Sequence, residues 1–187
     1  AHRAPGDDVL EAGDLLILDH ALEYEGYHSD LARTLYVGHP GETEPPREAR
    51  RAFRSAFQAI DAAFAVLQPG VRGWQVDAAA RERHLANGFP EISHATGHQI
   101  GREVHDGGTI LGPRWERYGT APEGIVEEGN VFTIEPTILA SPEPSMLVEE
   151  NVVVMADGAR WLSTRQRTLW MAGAAHESQE VPSSGIQ

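Results

Sequence analysis

The residues best suited to chemistry are four carboxylates set in apolar, β-branched runs. Residues 15–38 and 131–155 each read as a β-hairpin, two apolar runs broken by a polar or proline-containing turn. Asp19 and Asp30 sit mid-strand in the first, Glu135 and Glu149 in the second. A first turn centred between Tyr24 and Glu25 would put Asp19 directly across from Asp30. A second centred on Pro142 would put Glu135 across from Glu149. Like charges opposed on one sheet face are destabilising, and burying them unpaired is worse. Two such pairs in one chain suggest a cationic group between them.

Between the hairpins, the stretch SHATGHQIGREVHDGG carries His94, His98 and His105 at spacings of four and seven. Gly97 and Gly101 argue against a helix here. An extended strand would put His94 and His98 on one face and His105 on the other, unless the chain bends at Gly101, Gly107 or Gly108. Alone, three of the chain's 9 histidines would read as polar loop residues. Beside four opposed carboxylates they become ligand candidates. Oxygen-rich sites with one imidazole suit Mn²⁺, Co²⁺ or Zn²⁺, and four carboxylates can hold and neutralise two such ions.

The elements that must position these groups follow from periodicity. Residues 1–13 read as a polar loop running into the first strand. From Arg47, the residues Phe53, Ala56, Phe57, Ile60, Phe64 and Leu67 recur at helical steps and define one apolar face. Gln68-Pro69-Gly70 stops that helix. A second helix is expected from about Trp74 to Asn87, rich in alanine and closed by Gly88. After the second hairpin, Ala156-Asp157-Gly158 turns into a short strand over residues 159–162. The remaining tail has one apolar patch at residues 169–171, and its last dozen residues are expected to be disordered or an appended sequence.

Composition bounds the partners. The chain has 187 residues, one domain's worth, with 41% hydrophobic content and no cysteine. Disulfides and thiolate metal sites are therefore excluded. No apolar run approaches the roughly 20 residues of a membrane span, and no signal-peptide pattern opens the sequence. A cytoplasmic location is compatible with this. The net charge of −13 argues against nucleic acid, whose backbone requires a basic face. It favours cationic ligands such as metal ions and free amines.

Taken together, LDHALEYEGYHSDLARTLYVG, LQPGVRGWQVDAAARE, SHATGHQIGREVHD, GNVFTIEP and VEENVVV resemble the pita-bread metallopeptidases: Xaa-Pro aminopeptidases, prolidases and methionine aminopeptidases. The separations of 11 between Asp19 and Asp30 and of 14 between Glu135 and Glu149 fit that family's ligand pattern. The resemblance spans residues 2–166. It implies an α+β pita-bread fold, a curved, mostly antiparallel sheet with helices on its outer face, with residues 1–166 as catalytic domain and 167–187 as C-terminal tail. It implies two divalent metal ions on Asp19, Asp30, His98, Glu135 and Glu149, with Asp30 and Glu149 bridging. Asp19 would complete one site, and His98 with Glu135 the other. Glu135 would also shuttle the proton of the bridging water. His94 and His105 would bind substrate and steady the tetrahedral intermediate, and His2 would be a further substrate-site histidine.

The implied activity is hydrolysis of the bond before proline in a peptide, by hydroxide held between the ions, in a homodimer. The His105-Asp106-Gly107-Gly108 stretch is nearer to Xaa-Pro aminopeptidases than to methionine aminopeptidases. Two positions depart from the family pattern: Ala21 stands where a glycine is usual, and Leu147 where an arginine is common. The family's preceding helix-and-strand segment is not in this sequence, so the chain is expected to represent part of a longer protein. The sheet face that such a segment covers should then be apolar and exposed. The alternatives are a catalytically silent peptide-binding homologue, methionine-aminopeptidase-like specificity, and a metal-independent hydrolase of creatinase type.

Overall fold

The computed structural model describes residues 6–139 and 142–173. The chain opens with a long antiparallel hairpin, β1 (Leu15–Tyr24) and β2 (Tyr27–Val37). Its two-residue turn is Glu25-Gly26, with φ of 51° and 79°. Positive φ at both central residues is the primed-turn geometry that matches strand twist, and the glycine supplies it at no steric cost. This turn lies further along the chain than the one expected from the alternation of apolar residues. The register shifts accordingly: Asp19 pairs with Ala32 and Asp30 with Ala21. The two aspartates share a face as diagonal neighbours rather than as a direct pair, which lowers their mutual repulsion while still aiming both at one space.

Two helices follow, α1 (Arg47–Val66) and α2 (Gly73–Ala86). The inner face of α1 is built from Ala49, Ala52, Ala56, Ala59 and Ala63 with Phe53 and Ile60, all buried. Small side chains let α1 lie close to α2 and the sheets, and the two large residues fill what remains. Phe57 and Phe64 lie at the edge of this face, Phe64 stacking on Trp161 at 4.0 Å. Pro69 and Gly70 follow the end of α1, as expected. At the start of α2, Gln75 accepts the N–H of Arg72 at 2.8 Å.

Short strands complete the domain: β3 (Gly97–His98), β4 (Ile110–Leu111), β5 (Val131–Ile134), β6 (Thr137–Ile138), β7 (Met146–Leu147), β8 (Glu150–Met155), β9 (Gly158–Trp161) and β10 (Trp170–Ala172). The ladders run β1-β2-β10, β3-β4, β5-β8-β9 and β6-β7. The pairs β5–β8 and β6–β7 share one register, which centres the second hairpin on Pro142 as expected. The ladder is interrupted at Glu135 and Glu149. The N–H of Glu135 donates to Thr96 O at 2.7 Å and that of Glu149 to Ala32 O at 3.1 Å. The second hairpin thus opens where its carboxylates stand and joins the histidine strand on one side and β2 on the other.

Within the segment set aside as a tail, β10 adds in parallel to β2. The core lies between the helices and the second hairpin, around Phe132, Ile134, Ile138, Met146, Val152 and Val154. In contrast, Leu18 and Leu22 on β1 are 46% and 66% exposed, on the strand face they share with His20. No helix among the described residues is long and apolar enough to cross a membrane.

Candidate metal centre

Four of the predicted residues, Asp30, His98, Glu135 and Glu149, converge where the two hairpins and the histidine strand meet. Atoms of Asp30, His98 and Glu149 lie within 4.8 Å of one another. His98 Nε2 stands 3.4 Å from Glu135 Oε1 and 3.9 Å from Asp30 Oδ2. Asp19, at the exposed end of the group, is near enough for its charge to act on both glutamates.

The electrostatics of this cluster are unfavourable in the absence of a cation. Burial, followed by the charges of Asp30 and Asp19, pushes the Glu135 carboxyl up to about 8. Burial, then Glu135, Asp30 and Asp19, pushes Glu149 up to about 10, with Arg33 opposing. Glu149 is 2% exposed and its Oε1 is buried without a hydrogen-bond partner. An unsatisfied buried carboxylate oxygen beside three other carboxylates costs several kcal/mol in an apolar setting, on the order of the penalty for any unpaired buried ion. Divalent cations are the group that this donor set fits: oxygen-rich, with one imidazole.

His98 is prepared for such a role. A carbonyl oxygen can only accept, so the 3.0 Å contact between His98 Nδ1 and Gln99 O fixes the proton on Nδ1. The Nε2 lone pair is then turned towards Asp30 and Glu135. Burial, with His105 adding to it, lowers the imidazole's affinity for a proton and keeps the ring neutral.

The local fold explains these placements. An added Cβ on Gly97 would sit 2.0 Å from Thr133 O, so only glycine lets β3 lie this close to β5. The Thr133 hydroxyl accepts the His98 N–H at 3.1 Å and lies 3.4 Å from Glu135 Oε1, tying two cluster residues together. Behind them, buried Asp77 on α2 accepts both the N–H and the hydroxyl of Thr96, at 3.1 and 2.8 Å. Arg81 donates to Asp77 at 2.6 Å and to the carbonyls of Ile92 and His94. Thr96 in turn accepts the Glu135 N–H, so α2 anchors the histidine segment and through it the second hairpin.

The chain does bend after His98, since His105 returns to pack against it, the rings tilted by 50° with centroids 4.2 Å apart. His105 is exposed and faces open space. His94 stands on the α2 flank. Its Nδ1 contacts Ala95 O at 2.7 Å, and burial, with Arg81 and Arg117 nearby, keeps it neutral. His2 lies outside the described residues. Thr133, Asp77, Arg81 and Arg33 were not singled out from sequence. Asp77 and Arg81 did carry a signal, an Asp–Arg pair four apart on an alanine-rich helix.

The family description of metallopeptidase family M24 matches residues 1–156. The chain is 30% identical over 169 residues to an Xaa-Pro dipeptidase of Pyrococcus furiosus, covering 90% of this chain and 45% of that protein. It is 35% identical over 161 residues to a probable dipeptidase, PepE, of Mycobacterium tuberculosis, covering 84% and 39%. Among solved structures, an X-Pro aminopeptidase of Thermotoga maritima superposes with a TM-score of 0.80 at 30% identity, covering 91% of this chain and 45% of that one. The chain therefore spans less than half the length of each of these relatives.

Proposed function

The chain belongs to metallopeptidase family M24, and on that premise we propose that its protein is a dinuclear metal-dependent peptidase hydrolysing the bond before proline. The observation that supports this most is the convergence of Asp30, Glu135 and Glu149 on the neutral imidazole of His98, with the charge of Asp19 acting on both glutamates and a buried Glu149 oxygen left unsatisfied. Relatives named as Xaa-Pro dipeptidases and X-Pro aminopeptidases supply the substrate class.

In this reading Asp19, Asp30, His98, Glu135 and Glu149 would hold two divalent ions, of manganese, cobalt or zinc, with Asp30 and Glu149 expected to serve both. Bound ions of this kind lower the pKa of a bridging water and polarise a scissile carbonyl. The remaining work falls to the chain's own groups. Glu135, whose Oε1 stands 3.4 Å from His98 Nε2, is a carboxylate placed at the cluster to carry a proton from the nucleophile to the leaving nitrogen. That nitrogen is the proline ring nitrogen, part of a tertiary amide that general peptidases handle poorly because it lacks an N–H and readily populates cis.

The two flanking histidines divide the substrate contacts. His105 is exposed beside His98 and donates to the oxyanion. His94 keeps its proton on Nδ1 for Ala95 O, so its Nε2 offers a lone pair, suited to a substrate N–H or amine. His2 is a further candidate for substrate contact, and assembly as a homodimer belongs to the same reading.

The test is a panel of Xaa-Pro dipeptides and longer peptides, with alanine-for-proline controls, assayed metal-free and with added Mn²⁺, Co²⁺ or Zn²⁺. The expected result is metal-dependent cleavage before proline alone. Tight metal binding without cleavage of any member would overturn it in favour of a silent binding homologue.

A further inference from the structure

The two carboxylates assigned to bridge the ions come from different hairpins, and no regular ladder joins those hairpins among the described residues. Asp30 lies on β2, and Glu149 directly precedes β8. Their separation must therefore be set by something other than continuous strand pairing. The structure places one side chain there. Asn151 Oδ1 accepts the N–H of Asp30 at 3.1 Å, and Asn151 Nδ2 donates to the carbonyl of Asp30 at 2.6 Å. The amide of Asn151 satisfies both backbone groups of Asp30, as the peptide unit of a neighbouring strand would. Two residues upstream of Asn151, the Glu149 N–H donates to Ala32 O, two residues beyond Asp30. The two strands are thus pinned at the ligands themselves, once by backbone and once by this amide.

The neighbouring contacts reinforce the same junction. Arg33, 8% exposed, donates to the Glu149 carbonyl at 2.6 Å and to Glu150 Oε2 at 3.0 Å. Glu150 is fully buried, and its carboxylate is further engaged by Ser163 Oγ at 2.8 Å and Gln166 N at 3.1 Å. This ion pair carries the general stability of the junction. Asn151 differs because its one side-chain amide engages both backbone groups of a ligand-bearing residue, Asp30. It is 5% exposed and is followed in its strand by three valines and a methionine. A buried amide in such a place is costly unless both its groups are paired.

We infer that Asn151 is a positioning residue that sets the spacing of Asp30 and Glu149, and so the affinity and geometry of the ion pair they share. The inference rests on the dinuclear reading above. Supporting groups behind ligands typically contribute about 10- to 100-fold in metal affinity. Only an amide of this length presents a donor and an acceptor to Asp30 together, so alanine and serine both lose the clamp.

The experiment titrates metal-free protein with Co²⁺, following visible absorption for affinity and stoichiometry, and electron spin resonance at saturation for coupling between the ions. Wild type, Asn151→Ala, Asn151→Ser and Asn130→Ala are compared, each first checked for native circular dichroism. Asn130 is the control, since its Oδ1 accepts the Glu127 N–H in the turn that leads into the same hairpin. The expected result is weaker binding of Co²⁺ by about 10- to 100-fold in both Asn151 variants, with reduced coupling at saturation, and no change in Asn130→Ala. The serine variant is read where the alanine variant does not fold. Wild-type affinity and coupling in a folded Asn151 variant would overturn the inference and leave the dinuclear reading intact. Equal weakening in Asn130→Ala would also overturn it, by reducing the effect to loss of stability. A wild type that binds no pair of ions would overturn both.

Discussion

Gly97→Ala adds one methyl group at the closest approach between the histidine strand and the second hairpin. Its Cβ would lie 2.0 Å from Thr133 O and 2.8 Å from Thr133 C, against a working minimum of 3.0 Å. The obstruction is backbone on both sides, so no side chain can swing away, and β3 and β5 must part by about 1 Å. Forcing a methyl into a packed site costs about 1–3 kcal/mol. The same displacement stretches the hydrogen bonds from Glu135 N to Thr96 O, now 2.7 Å, and from Ile100 N to Val131 O, now 3.1 Å, each contributing about 1 kcal/mol. A total near 3 kcal/mol lowers Tm by roughly 6–12 °C in a chain of this size. The functional effect is separate. His98 moves away from Glu135, from which Nε2 now stands 3.4 Å, and metal affinity should fall about 10- to 100-fold. Differential scanning fluorimetry and Co²⁺ titration on one preparation read both. Gly41→Ala is the control: its φ is +86° with nothing within 4 Å, so it should cost about 1 kcal/mol of backbone strain and leave metal affinity alone. If Gly97→Ala melted within about 2 °C of wild type and bound metal as tightly, strand proximity would not be what places His98.

Other expectations follow from the same geometry. Glu135→Gln should abolish turnover, because it removes a charged ligand and the proton carrier together, and near-native turnover at saturating metal would refute that role. His94→Ala and His105→Ala should keep both ions bound. The first should mainly raise KM and the second mainly lower kcat, by on the order of 10²-fold for a lost oxyanion donor. Loss of an ion with either change would make that histidine a ligand. The metal-free protein should lose stability as pH rises. Glu135 and Glu149 hold their protons up to about 8 and about 10 in the folded chain, against 4.5 for an unperturbed glutamate. Their stabilising contribution is whole below the unfolded value and is lost as pH climbs through the folded values. Tm of metal-free protein should therefore fall from about pH 5 to pH 8 and be restored by saturating Mn²⁺, whereas a flat profile would show that the cluster is not strained.

Much of this arrangement was legible in the sequence because it follows strand and helix periods. The α1 face, the stop at Pro69-Gly70, the second hairpin's centre at Pro142 and the four carboxylates come from local spacing, whereas His98 is singled out among the three histidines only through the family resemblance. The alternation in VEENVVV even separates Glu149, which faces the cluster, from Glu150, which faces Arg33. The first hairpin's register was misjudged because Glu25-Gly26 accepts a positive-φ turn that apolar alternation does not reveal. Asn151, Arg33 and Thr133 were not legible, since their importance lies in bonds to backbone groups more than thirty residues away in sequence. The parallel addition of β10 to β2 is likewise a long-range pairing, and the apolar patch at residues 169–171 does not by itself name the strand it joins.

The central claim is that four carboxylates and one imidazole are arranged to hold two ions. The most direct measurement is anomalous scattering from crystals grown with Mn²⁺ or Co²⁺, collected on both sides of the metal edge. The account predicts two peaks per chain, both in contact with Asp30 and Glu149, one also with Asp19 and the other also with His98 and Glu135. A map without a peak between these side chains, at metal concentrations that support the protein's activity, would contradict it.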